Sequence, residues 1–340
     1  MRRASVVLAA FCLVAAMGAP AAGRHVTHAA ACANPTGAYT PPPAGFNALT
    51  ASNADLACYG IPQRPTDATA LKVWTALVGP VKQWVPLVTG KPIPATARPA
   101  ASVVANSLPD ITNPLLGGYE IYAGNISVPN LYFDAAEAAW VVPSPAQYDN
   151  QDSFAHWIGL GPEYSVSGDL VQAGTEMWDA YSGPYFFYEN YPGPEYPVTS
   201  VPVQSGNFVV VSVAYGPPGL PTGYANYCFT NGTTGKGTCT GQKQAYYTYN
   251  VTSFAGSYLE NQGSNSGYYC PFNPLQFGMN WVEGRIPNQP YWIASWYFNY
   301  APASRLILMN GTQQYGVPTA LNTNGAYQVN YQTGSGQSCP

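Results

Sequence analysis

Three segments of alternating residue type carry the side chains best suited to chemistry. In Asp169–Glu176 the period of two puts Leu170 and Gln172 on one face and Val171 and Ala173 on the other. Tyr185–Tyr191 groups Phe187, Glu189 and Tyr191, and Gly278–Arg285 groups Trp281, Glu283 and Arg285. Carboxylates, amides and aromatics are the groups these segments offer an acid-adapted hydrolase. Aromatic and polar side chains sharing a concave sheet face would form a substrate groove. Arg285 either pairs with Glu283 and lowers its pKa or stands as a surface ion.

Other hydrolytic chemistries lack their parts. His156 is the one histidine outside the extreme N-terminal region, there is no G-x-S-x-G, and H-E-x-x-H is absent. Paired Asp-Thr-Gly motifs are missing too. No cysteines have C-x-x-C spacing, so neither zinc nor another metal or cofactor is expected.

These segments need strands to position them. From about residue 118, short runs of Val, Ile, Tyr, Phe and Trp recur between Gly, Pro and Asn. Examples are Asn207–Tyr215, Tyr291–Tyr300, Arg305–Met309 and Ala326–Tyr331, with Asn310-Gly311 placed as a hairpin turn. The pattern predicts an all-β, two-sheet antiparallel β-sandwich of the lectin-like jelly-roll kind over 111–340. Residues 23–110 read as a propeptide-like leader. It has one helix, capped by Thr66 or Asp67, whose apolar face is Leu71, Trp74, Leu77, Val78 and Val81. A Pro- and Ala-rich linker follows, Lys91–Pro109.

Residues 1–22 combine a basic start, an apolar run from Val6 to Ala16 and Ala19-Pro20-Ala21, the pattern of a secretory signal peptide. Secretion, and no membrane association after the signal is removed, are expected. Cys32, Cys58, Cys228, Cys239, Cys270 and Cys339 then suggest up to three disulfides. The expected pairs are Cys32–Cys58, Cys228–Cys239 around the Asn231-Gly232 turn, and Cys270–Cys339. Charged residues are only 8% of the chain and Tyr numbers 27, a surface polar without titrating that suits an acidic medium. Residues 33–109 carry five Lys and Arg against two Asp, a net +3. Residues 110–340 carry four against fourteen Asp and Glu, a net −10. That asymmetry either docks the leader electrostatically or reflects a small leader that happens to be basic. Without a basic patch, nucleic acid is not an expected partner.

The body resembles the glutamic peptidase (eqolisin) family. The resemblance rests on Val142-Pro143-Ser144-Pro145, Ala155–Gly161, Leu170-Val171-Gln172-Ala173-Gly174, Tyr188-Glu189-Asn190-Tyr191-Pro192 and Asn280-Trp281-Val282-Glu283, in family order over about 119–332. The leader, with Tyr59-Gly60-Ile61-Pro62 before a short helix, is similar to leaders of bacterial members. The resemblance implies a secreted, monomeric acid endopeptidase acting on polypeptides, with Glu283 as general base and then acid, and Gln172 holding the water and the oxyanion. Trp157, Glu189, Tyr122 and Trp281 would line the substrate groove. Gly161 stands where the family has Asp, and Tyr122 where it has Trp. Aligning on Trp281 instead of Glu283 moves Gly284 to the catalytic position, which implies an inactive homologue. Two other readings stay open: a lectin-like glycoside hydrolase using Glu189 and Glu283, and a non-catalytic carbohydrate- or surface-binding sandwich.

Overall fold

The structure is a computed structural model and describes residues 39–94, 110–113, 116–143, 154–162, 170–178, 183–215, 223–241, 243–244, 252–261, 275–286, 289–299, 303–310 and 313–331. The expected signal peptide, Cys32, Cys270, Cys339 and most of the Lys91–Pro109 linker lie outside these.

The leader is built around two helices, α1 (Asn53–Cys58) and α2 (Ala68–Val78). Ser52 and Asp55 close a capping box on α1. Asp67 caps α2, its Oδ1 accepting from the Ala70 N–H at 2.8 Å. The buried stripe of α2 is Ala70, Val73, Trp74, Leu77 and Val78. The expected stripe is corrected at two positions: Leu71 is 37% exposed, and Val81 falls beyond the helix end, partly buried. At 100° per residue, Ala70 and Val73 share the Trp74–Leu77 face and Leu71 sits at the edge of the stripe, beside Val78. A short strand, β1 (Gln83–Trp84), follows.

The body is mostly β, in two antiparallel-rich sheets not closed into a barrel, as the alternation predicts. Its strands are β2 (Ile111–Asn113), β3 (Leu116–Tyr122), β4 (Tyr132–Val141), β5 (Phe154–Pro162), β6 (Leu170–Trp178), β7 (Gly183–Tyr191), β8 (Glu195–Val198), β9 (Phe208–Tyr215) and β10 (Tyr224–Asn231). Then come β11 (Lys236–Cys239), β12 (Lys243–Gln244), β13 (Thr252–Asn261), β14 (Leu275–Ile286), β15 (Gln289–Tyr297), β16 (Ala303–Asn310), β17 (Gln313–Pro318) and β18 (Tyr327–Tyr331). One sheet runs β15-β14-β4-β9-β10-β11. The other runs β16-β3-β13-β5-β6-β7-β8. β17 and β18 pair between β16 and β14 and so join the two. The β16–β17 hairpin forms where Asn310-Gly311 predicts it, with Asn310 opposite Gln313.

Alternate residues of both sheets fill the space between them. Ala136, Ala138 and Trp140 of β4, Ile158 and Leu160 of β5, Val171 and Ala173 of β6, and Val282 of β14 all belong to this core. Fully burying one such Val, Leu or Phe side chain stabilises by about 1.5–3 kcal/mol. Trp140 and Thr175 add a buried hydrogen bond across the core at 2.9 Å.

The leader packs on the outer face of the first sheet. Leu56, Ile61, Trp74, Leu77 and Trp84 cluster there with Ala139, Val210, Cys228 and Cys239. β1 adds in parallel to β11. Cys228 and Cys239 sit opposite each other on β10 and β11 and form the expected disulfide, while Cys58 is also disulfide-bonded. Arg64, a leader cation, is held within the leader: its guanidinium donates to the carbonyls of Leu49 and Ala51 and lies over the Trp74 ring.

Candidate active site

The second sheet carries the chemistry on its outer face. Val171 and Ala173 point into the core, so Gln172 points away from it. Strand register then lays out one row across six strands: Glu120 on β3, Gly256 on β13, Gly159 on β5, Gln172 on β6, Glu189 on β7 and Glu195 on β8. The next row, two residues along, holds Tyr258, Trp157, Gly174 and Phe187.

Gln172 and Glu189 are direct cross-strand neighbours, and the Gln172 Nε2–H donates to Glu189 Oε2. Gln172 is fully buried, and among the described residues its Oε1 accepts no hydrogen bond. A buried acceptor of this kind has room for one more donor, such as a water or a substrate N–H. At the far end of the row Glu120 is also fully buried. Its Oε1 accepts from the Tyr122 hydroxyl at 2.7 Å and its Oε2 from the Tyr258 hydroxyl at 2.6 Å. The Tyr258 ring folds back over Gly256, where any Cβ would collide with it. Trp157 packs edge-on against Tyr258, with ring centroids 4.7 Å apart, and its Nε1–H donates to Glu260 Oε2 at 2.6 Å. Two aromatic side chains beside Gln172 are thus each pinned by a buried glutamate.

Tyr185 extends the face toward β8. Its hydroxyl donates to Glu195 Oε1 at 3.3 Å, and burial followed by the neighbouring Glu176 and Glu195 raises its pKa far beyond the usual phenol. His156 points the other way, into the core. Burial pushes its pKa down to about 3, so it stays neutral even in mild acid.

Of the expected site residues, the structure brings together Gln172, Glu189, Trp157 and Tyr122. Glu283 is not with them. Its neighbour Val282 lies in the central core, so Glu283 faces outward from the first sheet, on the opposite side of the sandwich from Gln172. There it sits beside the leader. Arg285 Nη2 donates to Glu283 Oε1 at 3.0 Å, and Arg285 Nε donates to Asp134 Oδ2. Asp67, the α2 cap, accepts from the Ser295 hydroxyl at 2.5 Å; Ser295 is directly opposite Glu283. Of the two readings of Arg285, the pairing holds, and Arg285 does pull the Glu283 pKa down, but other causes outweigh it. Burial and then the Asp134 charge raise the Glu283 pKa, against the opposing pull of Arg285. Trp281 is likewise corrected: it packs with Ala70 and Val73 under α2. A glycosidic bond cannot be flanked by Glu189 and Glu283 on opposite faces, which removes that carboxylate pair.

Glu120, Tyr258 and Glu260 were not singled out from the sequence. The signal available was period-two spacing, Glu120 with Tyr122 and Tyr258 with Glu260. Their meeting depends on β13 inserting between β3 and β5, a pairing that local pattern does not encode.

Comparison with known proteins bears on this face. The Peptidase A4 family matches residues 122–250. Scytalido-glutamic peptidase, solved with a transition state analog inhibitor, is 15% identical with a TM-score of 0.49, over 64% of this chain and 98% of that one. SCP-B, described as a member of the Eqolisin family, is 14% identical with a TM-score of 0.46, over 64% and 98%. Aspergilloglutamic peptidase from Aspergillus niger is 14% identical with a TM-score of 0.41, over 53% and 99%. No curated protein matches the chain. The family match spans Tyr122, Trp157, Gln172 and Glu189 and stops short of Glu283, and over that stretch the chain is similar to the Peptidase A4 family.

Proposed function

We propose that this protein is a secreted, acid-active endopeptidase whose working pair is Gln172 and Glu189. The observation that carries the reading is their direct hydrogen bond in a buried site, with Gln172 Oε1 left to accept from a water. In this arrangement the water donates one proton toward Gln172 Oε1 and the other toward Glu189. Glu189 takes the second proton as the water oxygen bonds to the scissile carbonyl carbon. The carbonyl π electrons move onto oxygen, which the second N–H of Gln172 can stabilise. Glu189 then returns its proton to the amide nitrogen, the C–N bond breaks, and an acid and an amine leave. Secretion is supported by the signal-like N-terminus and the Cys228–Cys239 disulfide. Acid activity is supported by a face built on glutamates and an amide, with the core histidine held neutral.

One observation favours a second reading, a polypeptide-binding sandwich without hydrolysis: Glu283, the base that the motifs imply, is absent from the Gln172 face. The test is digestion of a denatured protein at pH 3.5 and pH 7 by wild type, Gln172→Ala, Glu189→Gln and Glu283→Gln. The proposal expects acid activity that Gln172→Ala and Glu189→Gln abolish and Glu283→Gln keeps. Wild type that binds denatured protein but never cuts it establishes the second reading.

A further inference from the structure

The row through Gln172 does not stop at β8. Ile93 of the leader bridges to Glu195 and takes the next place in the row, and its side chain packs against the cluster of Trp157, Tyr185 and Phe187. Residues 88–93 run antiparallel to β8, which otherwise forms the edge of the second sheet. The Ile93 and Glu195 backbones exchange two hydrogen bonds of 2.9 Å; Gly90 N–H donates to Pro197 O at 2.8 Å and Thr199 N–H to Val88 O at 2.9 Å. The outward groups of the edge are thus the N–H of Glu195 and Thr199 and the C=O of Glu195 and Pro197.

The strap satisfies those four groups, but most of its residues are exposed. Its two bridges, Thr89 to Val198 and Ile93 to Glu195, are separated by Lys91-Pro92, and Pro92 has no N–H to give. Val88 is 52% exposed. Few buried contacts and exposed backbone hydrogen bonds mark a segment that opens locally at low free-energy cost. By contrast α2 is held by Trp74, Leu77 and Val78 in a closed apolar cluster.

We infer that the β8 edge is a strand-addition site for an extended segment of polypeptide substrate, which residues 88–93 occupy in cis. The inference rests on the reading that the Gln172 face acts on polypeptides. An incoming strand would take the same donors and acceptors and place an apolar side chain where Ile93 sits, the usual division between main-chain affinity and side-chain pockets. From that position Gln172 is three strands away, about 14 Å, or roughly four extended residues. The bound segment therefore lies about four residues from the scissile bond, and substrates too short to reach β8 lose affinity while keeping turnover.

The full-length chain tests this, with a fluorescent peptide of the sequence of residues 86–94 as probe. Ile93→Asp loosens the strap by placing a charge in the apolar cluster. The peptide should bind the Ile93→Asp chain at least about tenfold more tightly than wild type, since only there is the edge vacated. A peptide with Asp at the isoleucine position should bind at least about tenfold more weakly. Hydrogen exchange should show the Glu195 and Thr199 amides opening in the variant and closing again with peptide. Equal affinity for both chains, or indifference to the Asp replacement in the peptide, overturns the inference. A second measurement needs no variant: in wild type the Gly90 and Ile93 amides should exchange well before those of α2, and exchange as slow as α2 overturns it equally. Peptide binding without hydrolysis would count against the proposed function alone and leave the strand site standing.

Discussion

Gln172 and Glu189 occupy directly opposed positions on adjacent antiparallel strands, and the carboxamide of one donates to the carboxylate of the other in a site closed to solvent. The pair tolerates one negative charge because its second member has none. Gln172→Glu removes that tolerance. Two carboxyls in contact share a proton, so one of them acquires a raised pKa. The variant should match wild type in melting temperature near pH 4 and fall below it by several degrees at pH 7. Equal melting temperatures at both values would show that the two groups do not touch.

Trp157→Phe keeps a ring against Tyr258 but deletes the N–H that reaches Glu260. The buried Glu260 oxygen loses a donor, which costs about 1–3 kcal/mol. Urea unfolding should show a midpoint lowered without change in slope. A midpoint equal to wild type would mean that the Trp157–Glu260 bond contributes nothing.

Glu283 gives stability a particular pH dependence. Its folded pKa is raised, so the folded state holds a proton that the unfolded state has already released. Stability is therefore full below the ordinary glutamic value of about 4.3 and declines as pH rises from there toward the raised folded value. Asp134, raised by its burial, acts in the same sense. Glu283→Gln should flatten part of this decline and leave proteolysis intact. A variant with an unchanged stability–pH curve would remove Glu283 as its source.

The leader tests the electrostatic docking idea. Beside the titratable Asp67–Ser295 hydrogen bond, its contacts with the first sheet include the apolar cluster around Trp74, Leu77 and Trp84 and the β1–β11 pairing, neither of which titrates. After a cut between residues 95 and 109 at pH 3.5, the leader should stay bound to the body in size-exclusion chromatography. Leu77→Ala, a loss of about 2–5 kcal/mol, should let it go. Release from the wild-type chain on acidification alone would restore the charge-driven propeptide reading.

What could be read from the sequence was the face of each strand. Period two correctly set Gln172 against Val171 and Glu189 with Phe187, because alternation is local. It set Glu283 with Trp281 and Arg285 just as correctly. What it lacked was the sheet to which each strand belongs: β14 joins β4 and β15 rather than β6, and that choice puts a correctly oriented Glu283 on the wrong side of the molecule. The helix is legible, and of the two expected caps, Thr66 and Asp67, the second serves; its stripe is legible except that Leu71, at the stripe's edge, is exposed and Val81 lies beyond the helix.

The row from Glu120 to Glu195 draws its members from chain positions far apart, with Gly256 of β13 inserted between β3 and β5. Until that insertion is made, Glu120 has no Tyr258 to receive and Trp157 no Glu260 to hold it. Long-range closures of this type come late and slowly in folding. A chain whose β13 has not yet been made therefore has no assembled row, and the pinning of Tyr258 and Trp157 waits on residues 252–261.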